Sequence, residues 1–205
     1  MTISWYGEAC FLLESGGVRI LVEPPQKESG INSPRLKSDI LICRPDADIA
    51  RALSQPSSHG DESTFLITGP GEYEVKGMSI LGIANEKNTI YNIEIDGIKI
   101  CHLGFLNNDL DNDQLSLIDD PDIVLIPVGN NDVLDAEAAM KLANKIEPSI
   151  IIPMLYDIKG LKTKRAPLSA FLKESEAKEP SQPKLTIKKK DINEEETKIV
   201  ILEKT

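Results

Sequence analysis

The chain has 205 residues, 40% of them apolar and 27% charged, which is sufficient for one well-filled core and typical of a globular protein. Its formal net charge of −10 is a surplus of carboxylates that repels nucleic acid backbones and anionic lipid surfaces, so we expect neither as a partner. No apolar run approaches the roughly 20 residues of a membrane-spanning helix, and no basic region followed by an apolar stretch opens the chain, so a cytoplasmic location is expected.

The first half of the chain predicts short strands joined by turns. Strands are predicted at residues 3–5, 10–14, 18–22, 39–43, 65–68, 73–75, 78–83, 89–95 and 98–103. Asp96 and Gly97 separate the last two of these alternating runs, which is a strong signal for a two-residue hairpin. A short helix is predicted around residues 48–54. Residues 55–63, which include His59, are rich in Ser, Gly and Asp and predict an exposed loop.

The second half alternates strands with helices. Buried strands are predicted at residues 122–127 and 150–154, and shorter strands at 185–188 and 199–202. Helices are predicted at residues 135–146, where Asp135 is an N-cap candidate, and at 167–176. No low-complexity linker divides the chain. We therefore predict a single domain over residues 1–205, of the α/β (α+β) class, with two sheets and helices outside them.

Histidine and cysteine restrict the chemistry of the chain. Cys10, Cys43 and Cys101 lie far apart inside apolar runs, which predicts buried side chains rather than disulfides or a metal site. The chain has only two histidines, His59 and His102. A zinc hydrolase of ordinary type brings two or three imidazoles together on the metal, and this chain can hardly supply them.

Several stretches carry a recognisable pattern in one order along the chain. They are residues 3–11 (ISWYGEACF), 69–77 (GPGEYEVKG), 88–91, 98–104, 122–129 and 147–154. Together they resemble the metallo-β-lactamase superfamily, in particular its L-ascorbate-6-phosphate lactonase-like branch of hydrolases. The resemblance implies a four-layer αββα sandwich with a zinc or manganese site at one edge and metal-dependent hydrolysis as the activity.

The resemblance also implies an HxHxDH metal motif just after the strand at residues 39–43. This chain has Arg44 and Asp46 at the first two imidazole positions and Ile49 at the last, so only Asp48 agrees with the motif.

Two further ligand positions implied by the resemblance also differ. Phe105 stands where the family has a bridging aspartate, and Leu155 stands where it has a later histidine. Residues 84–87 contain no histidine either. His102 points to the face of its strand opposite Phe105, so we expect it to be a structural residue. We therefore expect a degenerate metal site and no metal cofactor.

Loss of the metal would leave carboxylates without the cation that balanced them, and an unpaired buried charge is costly. We expect the guanidinium of Arg44 to supply the missing charge by pairing with Asp48. Ile49, Phe105 and Leu155 are expected to fill the remaining volume, which leaves ordinary core or a dry, shallow cleft.

The sequence leads to one function and two alternatives. The first is a non-catalytic binding or assembly module that associates with itself or with another protein. The second is a residual hydrolase that holds magnesium or manganese on carboxylates: Asp46, Asp48, Asp109 or Glu72. The third is a binder of a small anionic ligand through Arg44. The acidic stretch 109–120 predicts a solvated loop, with adventitious calcium binding left open.

Overall fold

Two β-sheets and three α-helices are formed by the part of the chain that the computed structural model describes, residues 1–32, 36–49, 64–86, 88–175, 180–193 and 195–205. The strands are β1 (Thr2–Trp5), β2 (Phe11–Ser15), β3 (Val18–Val22), β4 (Ile40–Ile42), β5 (Phe65–Ile67), β6 (Gly71–Val75), β7 (Met78–Asn85), β8 (Asn88–Ile95), β9 (Ile98–His102), β10 (Ile123–Pro127), β11 (Ile150–Met154), β12 (Leu185–Thr186) and β13 (Lys198–Ile199). The helices are α1 (Asn112–Ile118), α2 (Ala136–Ile146) and α3 (Leu168–Ser175), and two 3-10 turns cover Lys27–Ser29 and Lys189–Asp191.

The order of the strands follows from how they are connected. The first sheet has the order β12-β1-β2-β3-β4-β5 and the second has the order β13-β11-β10-β9-β8-β7-β6. Strands joined by tight turns pair antiparallel, whereas β3, β4 and β5 run parallel, as do β9, β10, β11 and β13. Parallel strands are covered on both faces. Every residue of β10 and β11 is accordingly buried.

Turn chemistry fixes the register of the hairpin between β8 and β9. Asp96 and Gly97 both have positive φ, 52° and 72°, which is the conformation that a two-residue turn of this kind requires. Ile95 consequently faces Ile98 across the turn. The hairpin predicted from these two residues is confirmed.

One hydrophobic core contains residues of both sheets, from Ile3 in β1 to Ile93 in β8. Helix α2 packs on β10, and α3 packs on α2. Asp135 starts α2 because its side chain accepts a hydrogen bond from the Ala138 N–H at 2.8 Å. The predicted α/β class with two sheets and helices outside them is confirmed.

The acidic stretch after β9 is a correction to the sequence prediction of a solvated loop at residues 109–120. Helix α1 begins there because Asp111 accepts a hydrogen bond from the Gln114 backbone N–H at 2.8 Å, and the Gln114 side chain returns to the Asp111 N–H at 3.2 Å. This reciprocal pair is a capping box, and its spacing in the sequence is a local signal for a helix.

Two other sequence predictions fall outside the described residues, wholly or for the most part. Most of the predicted helix at 48–54 lies outside them, and so does all of the predicted loop at 55–63 with His59. Within the described ranges, no helix is long and apolar enough to cross a membrane.

In each sheet, a buried carboxylate directly precedes one of the parallel strands. Asp39, before β4, accepts a hydrogen bond from the Arg19 N–H at 2.8 Å. Asp122, before β10, accepts one from the Lys99 N–H at 2.9 Å and lies 2.6 Å from Lys189 Nζ. These carboxylates join the start of each parallel strand to the strand beside it.

We expect Asp122→Ala to lower the free energy of unfolding by about 2–3 kcal/mol, because it leaves the Lys99 N–H without its acceptor and removes the ion pair with Lys189. Urea unfolding measures this change. Glu174→Ala, an exposed carboxylate in α3, is the control and should change stability by less than about 0.5 kcal/mol. Equal effects of the two substitutions would contradict a structural role for Asp122.

Candidate functional site

A cleft of about 210 Å³ lies where the carboxyl ends of parallel strands from both sheets come together. The charged and aromatic side chains that line it include Glu8, Glu23, Arg44, Phe105, Asp132 and Arg165. We call it the Arg44 cleft. Open α/β sheets bind ligands at the carboxyl ends of their parallel strands. The fold therefore places this cleft where a ligand site is expected.

Strand ends position three of the lining residues. Glu23 directly follows β3, Arg44 comes two residues after β4, and Phe105 comes three residues after β9. Because β3 and β4 are parallel neighbours, the residues that follow them leave the sheet side by side. The second sheet contributes Phe105 from the opposite layer.

The Cζ atom of Arg44 lies 4.2 Å from the centroid of the Phe105 ring, which is a cation–π contact. Its Nε atom is 3.6 Å from Glu23 Oε2 and 3.9 Å from Asp46 Oδ1, distances too long for hydrogen bonds. The Nε–H is buried and has no acceptor. The aromatic ring thus orients the guanidinium without using its N–H groups.

Glu23 is the carboxylate nearest to Arg44, and its side chain is only 6% exposed. Burial raises the pKa of Glu23 to about 7, against the opposing effect of the Arg44 guanidinium, and the Asp46 carboxylate raises it further. The carboxyl of Glu23 can therefore take up or release a proton close to neutral pH.

Glu8, on the turn between β1 and β2, is a second buried acid, with 7% exposure. Burial is the main cause that raises its pKa, and a hydrogen bond with Ser29 and the guanidinium groups of Arg165 and Arg44 oppose it. Its backbone carbonyl accepts hydrogen bonds from Trp5 Nε1 at 2.9 Å and from the Leu155 N–H at 3.4 Å. These two bonds hold the turn against the second sheet.

Three residues at this edge of the sandwich have a strained backbone. Glu8, Glu23 and Leu155 have φ of 49°, 46° and 61°, in the left-handed region that residues other than glycine rarely adopt. Each such residue costs of order 1 kcal/mol or more and persists only where its surroundings hold it. Turns elsewhere in the fold, such as those at Lys76 and Asp96, share this conformation, so it does not by itself mark the cleft as a site.

Arg165 and Asp132 form an ion pair on the opposite wall of the cleft. The Arg165 side chain is 2% exposed, whereas that of Asp132 is 56% exposed. The Arg165 Nε–H is buried without an acceptor. The cleft thus contains a second guanidinium that is fixed by one acidic neighbour.

His102 is sealed in the core and does not face the cleft. Its Nε2 atom bonds the Ala9 carbonyl at 2.9 Å, and its Nδ1 accepts a hydrogen bond from the Gly104 N–H at 3.1 Å. Burial lowers the pKa of His102 to about 4. With both ring nitrogens bonded, this histidine is the structural residue that the sequence predicted.

The structure brings three of the six predicted site residues together, namely Arg44, Asp46 and Phe105. Leu155 is fully buried in the core below the Glu8 turn. Ile49 packs elsewhere, against a separate cluster that contains Cys10 and Cys43. The side chain of Asp48 is exposed, and its backbone N–H donates to Gln26 Oε1 at 2.9 Å.

Two expectations about this region were wrong. Arg44 was expected to pair with Asp48, but its carboxylate neighbours are Glu23 and Asp46. The reason is that Glu23 leaves the adjacent parallel strand beside Arg44. Ile49, Phe105 and Leu155 were also expected to fill this region as ordinary core or a dry, shallow cleft, whereas charged side chains line the cleft.

Sequence reasoning missed Glu8, Glu23, Asp132 and Arg165. Glu8 lies inside the stretch 3–11 that carries the family resemblance but was not singled out there, and the other three each lie in a turn or loop without a motif. Glu8 and Glu23 carried one weak signal, since each is an acid next to an apolar strand that is otherwise buried. Asp132 and Arg165 carried none.

The residues around the cleft do not fit a zinc or manganese site. In the parts of the chain that the structure describes, no three His, Cys, Asp or Glu side chains are grouped so that they could hold a metal ion. A guanidinium also occupies the cleft wall, and its positive charge opposes a cation beside it.

Comparison with known proteins gives a consistent result. The family model described as Beta-lactamase superfamily domain matches residues 2–155. The chain is similar to the UPF0173 metal-dependent hydrolase of Thermoplasma acidophilum, with 26% identity over 188 residues that cover 77% of this chain and 84% of the relative. It is similar to that of Archaeoglobus fulgidus at 24% identity over 195 residues, with the same coverage.

Solved structures agree with these relatives. A protein from Thermotoga maritima, named as a Zn-dependent hydrolase of the metallo-beta-lactamase superfamily, superimposes with a TM-score of 0.80 at 32% identity over 98% of both chains. An isothiocyanate hydrolase from Delia radicum gut bacteria has a TM-score of 0.63 at 12% identity, covering 100% of this chain and 97% of its own. The second likeness is one of fold alone.

Proposed function

This chain belongs to the beta-lactamase superfamily, and we propose that it is a non-catalytic binding module of that fold whose ligand site is the Arg44 cleft. The observation that carries this proposal is the guanidinium of Arg44, fixed 4.2 Å above Phe105. By resemblance, both residues stand at positions where active relatives hold metal ligands. A cation-binding site has thus been replaced by a positive side chain that remains open to a cleft.

Hydrolysis in this superfamily depends on a metal that lowers the pKa of its bound water to about 7. A replacement by side-chain chemistry would need a base beside a nucleophile. His102 cannot serve, because its ring is 0% exposed and both nitrogens are bonded. No other histidine lies in the described residues. A binding role therefore accounts for the cleft better than catalysis does.

A second function, metal-dependent hydrolysis with carboxylate ligands, is favoured by the names of the archaeal relatives and by the acids in the cleft: Glu8, Glu23 and Asp132. The four carboxylates that the sequence suggested as ligands for this metal do not lie together. Asp46 and Asp48 are exposed, Asp109 pairs with Lys145, and Glu72 is exposed on β6.

Metal content separates the two functions. We expect protein purified without chelators, incubated with zinc or manganese and desalted, to retain less than about a tenth of an equivalent by mass spectrometry, because no set of ligand side chains converges in the described residues. The Thermotoga maritima relative, treated in the same way, is the positive control. A stoichiometric metal in this chain would overturn the binding proposal in favour of the hydrolase.

A further inference from the structure

The Arg44 cleft has the size and the polarity of a site for a small molecule. Its volume of about 210 Å³ is well above the space that a single water molecule needs, so the cleft can admit a small ligand. Side chains of both charges line its walls, so the charges decide which ligands fit.

Arg44 offers unused donors to such a ligand. Its carboxylate neighbours lie at 3.6 and 3.9 Å, beyond hydrogen-bond distance, and its orientation comes from the face of Phe105. A planar guanidinium binds a carboxylate or phosphate group through two parallel N–H bonds. Arg44 is therefore prepared for an acidic group and does not have to give up a strong internal partner.

Glu8 offers the opposite charge. Its side chain is 7% exposed, and it forms no ion pair in the described part of the chain. The Arg165 guanidinium is already paired with Asp132. The hydrogen bond with Ser29 and the more distant guanidinium groups of Arg165 and Arg44 only partly offset the cost of burying the Glu8 carboxylate, and an ammonium group from a ligand would supply a direct ion partner.

A ligand that carries only one charge does not suit the cleft. A simple anion on Arg44 would face the carboxylates of Glu8 and Glu23, and a simple amine on Glu8 would face the guanidinium groups of Arg44 and Arg165. A ligand that carries both charges can place its acidic group beside the guanidinium groups and its ammonium group beside the carboxylates. The mixed charges of the lining thus favour a dipolar molecule.

We infer that the Arg44 cleft binds a small zwitterion, with its acidic group on the guanidinium of Arg44 and its ammonium group on the carboxylate of Glu8. This inference rests on the proposed binding function and gives that function a ligand class. Free amino acids with a short carbon chain have the required size and charges.

The probes are glycine, β-alanine and γ-aminobutyrate, which differ in the distance between ammonium and carboxylate. Propionate and propylamine each keep one charge of β-alanine on the same carbon chain. Ligand-observed NMR detects binding and calorimetry measures affinity. Fluorescence gives a third readout, because Trp5 is the only tryptophan and its indole N–H donates to the Glu8 carbonyl at 2.9 Å.

We expect at least one of the three amino acids to bind, and the matched compounds with one charge to bind at least about tenfold more weakly. Arg44→Gln and Glu8→Gln should each weaken amino acid binding by about tenfold or more, since each removes one of the two charge contacts. Glu174→Gln, at an exposed acid of α3 that does not line the cleft, is the control and should change affinity less than about twofold.

Three outcomes would overturn the inference. Propionate binding as tightly as β-alanine would mean a simple anion site, and propylamine doing so would mean a cation site. No binding by any of the three amino acids at millimolar concentration would exclude this ligand class. In all three cases the proposed binding function is judged separately, because it fails only if the chain retains a stoichiometric metal.

Discussion

Gly129→Ala should lower the free energy of unfolding by about 3 kcal/mol or more, the largest loss expected for a single methyl group in this protein. A Cβ atom at position 129 would collide with the Leu155 carbonyl and would lie 2.7 Å from Arg165 Cδ. The Leu155 carbonyl belongs to the backbone and cannot rotate away. The loops that follow β10 and β11 would have to separate.

The chain offers a matched control for this substitution. Gly69 has no atom within 4 Å of an added Cβ, and its φ lies outside the left-handed region. Gly69→Ala should therefore change stability by less than about 1 kcal/mol in either direction. Urea unfolding of both variants gives the comparison. Similar stabilities would show that the two loops are not in contact at Gly129.

Gly129→Ala should also change the shape of the Arg44 cleft, in addition to its effect on stability. Asp132 and Arg165 lie on the two loops that meet at Gly129, and the Ala166 N–H donates to the Gly129 carbonyl at 2.6 Å. Separation of the loops would move one wall of the Arg44 cleft. The residue that allows this wall to form is thus a glycine that carries no chemistry of its own.

Glu23→Gln should change the pH dependence of stability by roughly 3 kcal/mol between about pH 5 and about pH 8. The folded protein holds the Glu23 proton with a pKa of about 7, against an ordinary value of 4.5, so it binds this proton more tightly than the unfolded chain does. The resulting stability is fully present below pH 4.5 and is lost as pH rises through about 7. Glutamine removes that loss, so the variant gains relative to the native protein at high pH.

His102 changes stability in the opposite direction over an overlapping pH range. Its pKa is about 4 in the fold against an ordinary value of 6.5, so stability is lost as pH falls from 6.5 towards 4. The two groups partly offset each other in the native protein. In Glu23→Gln the contribution of His102 is no longer offset, and stability should fall more steeply in acid.

Urea titrations of both proteins at several pH values between about 5 and 8 measure the difference, with Glu28→Gln as the control because its carboxylate is exposed. The control should parallel the native protein. A parallel profile for Glu23→Gln as well would mean that the Glu23 carboxyl titrates at its ordinary value and is not confined by burial.

The residues at the metal positions that the family resemblance implies show how much of the site can be predicted from the sequence. Arg44 and Phe105 could be singled out from the sequence because each replaces a residue that the family resemblance implies. Their mutual contact at 4.2 Å could not be predicted, since it depends on how closely the two sheets approach. The same holds for the ion partner of Arg44, because Asp48 is nearer in sequence and Glu23 is nearer in space.

Local signals in the sequence predict most of the secondary-structure elements and the fold class. Alternation and turn residues such as Asp96 and Gly97 predict strands and hairpins, because these signals act between residues that are close in the chain. Buried runs such as Ile123–Pro127 predict parallel strands for a similar local reason. The cap of α1 by Asp111 was equally local, and it was available in the sequence although the prediction overlooked it.

The charge and shape of the cleft depend on tertiary contacts that local sequence signals do not predict. Glu8, Glu23, Asp132 and Arg165 come from four separate turns and loops, and no local pattern links them. They meet because the parallel strands of two sheets end at one edge, where pairing across long stretches of chain fixes each position. Charge balance in a cavity depends on these distances and on burial, and neither is encoded in the spacing of residues along the sequence.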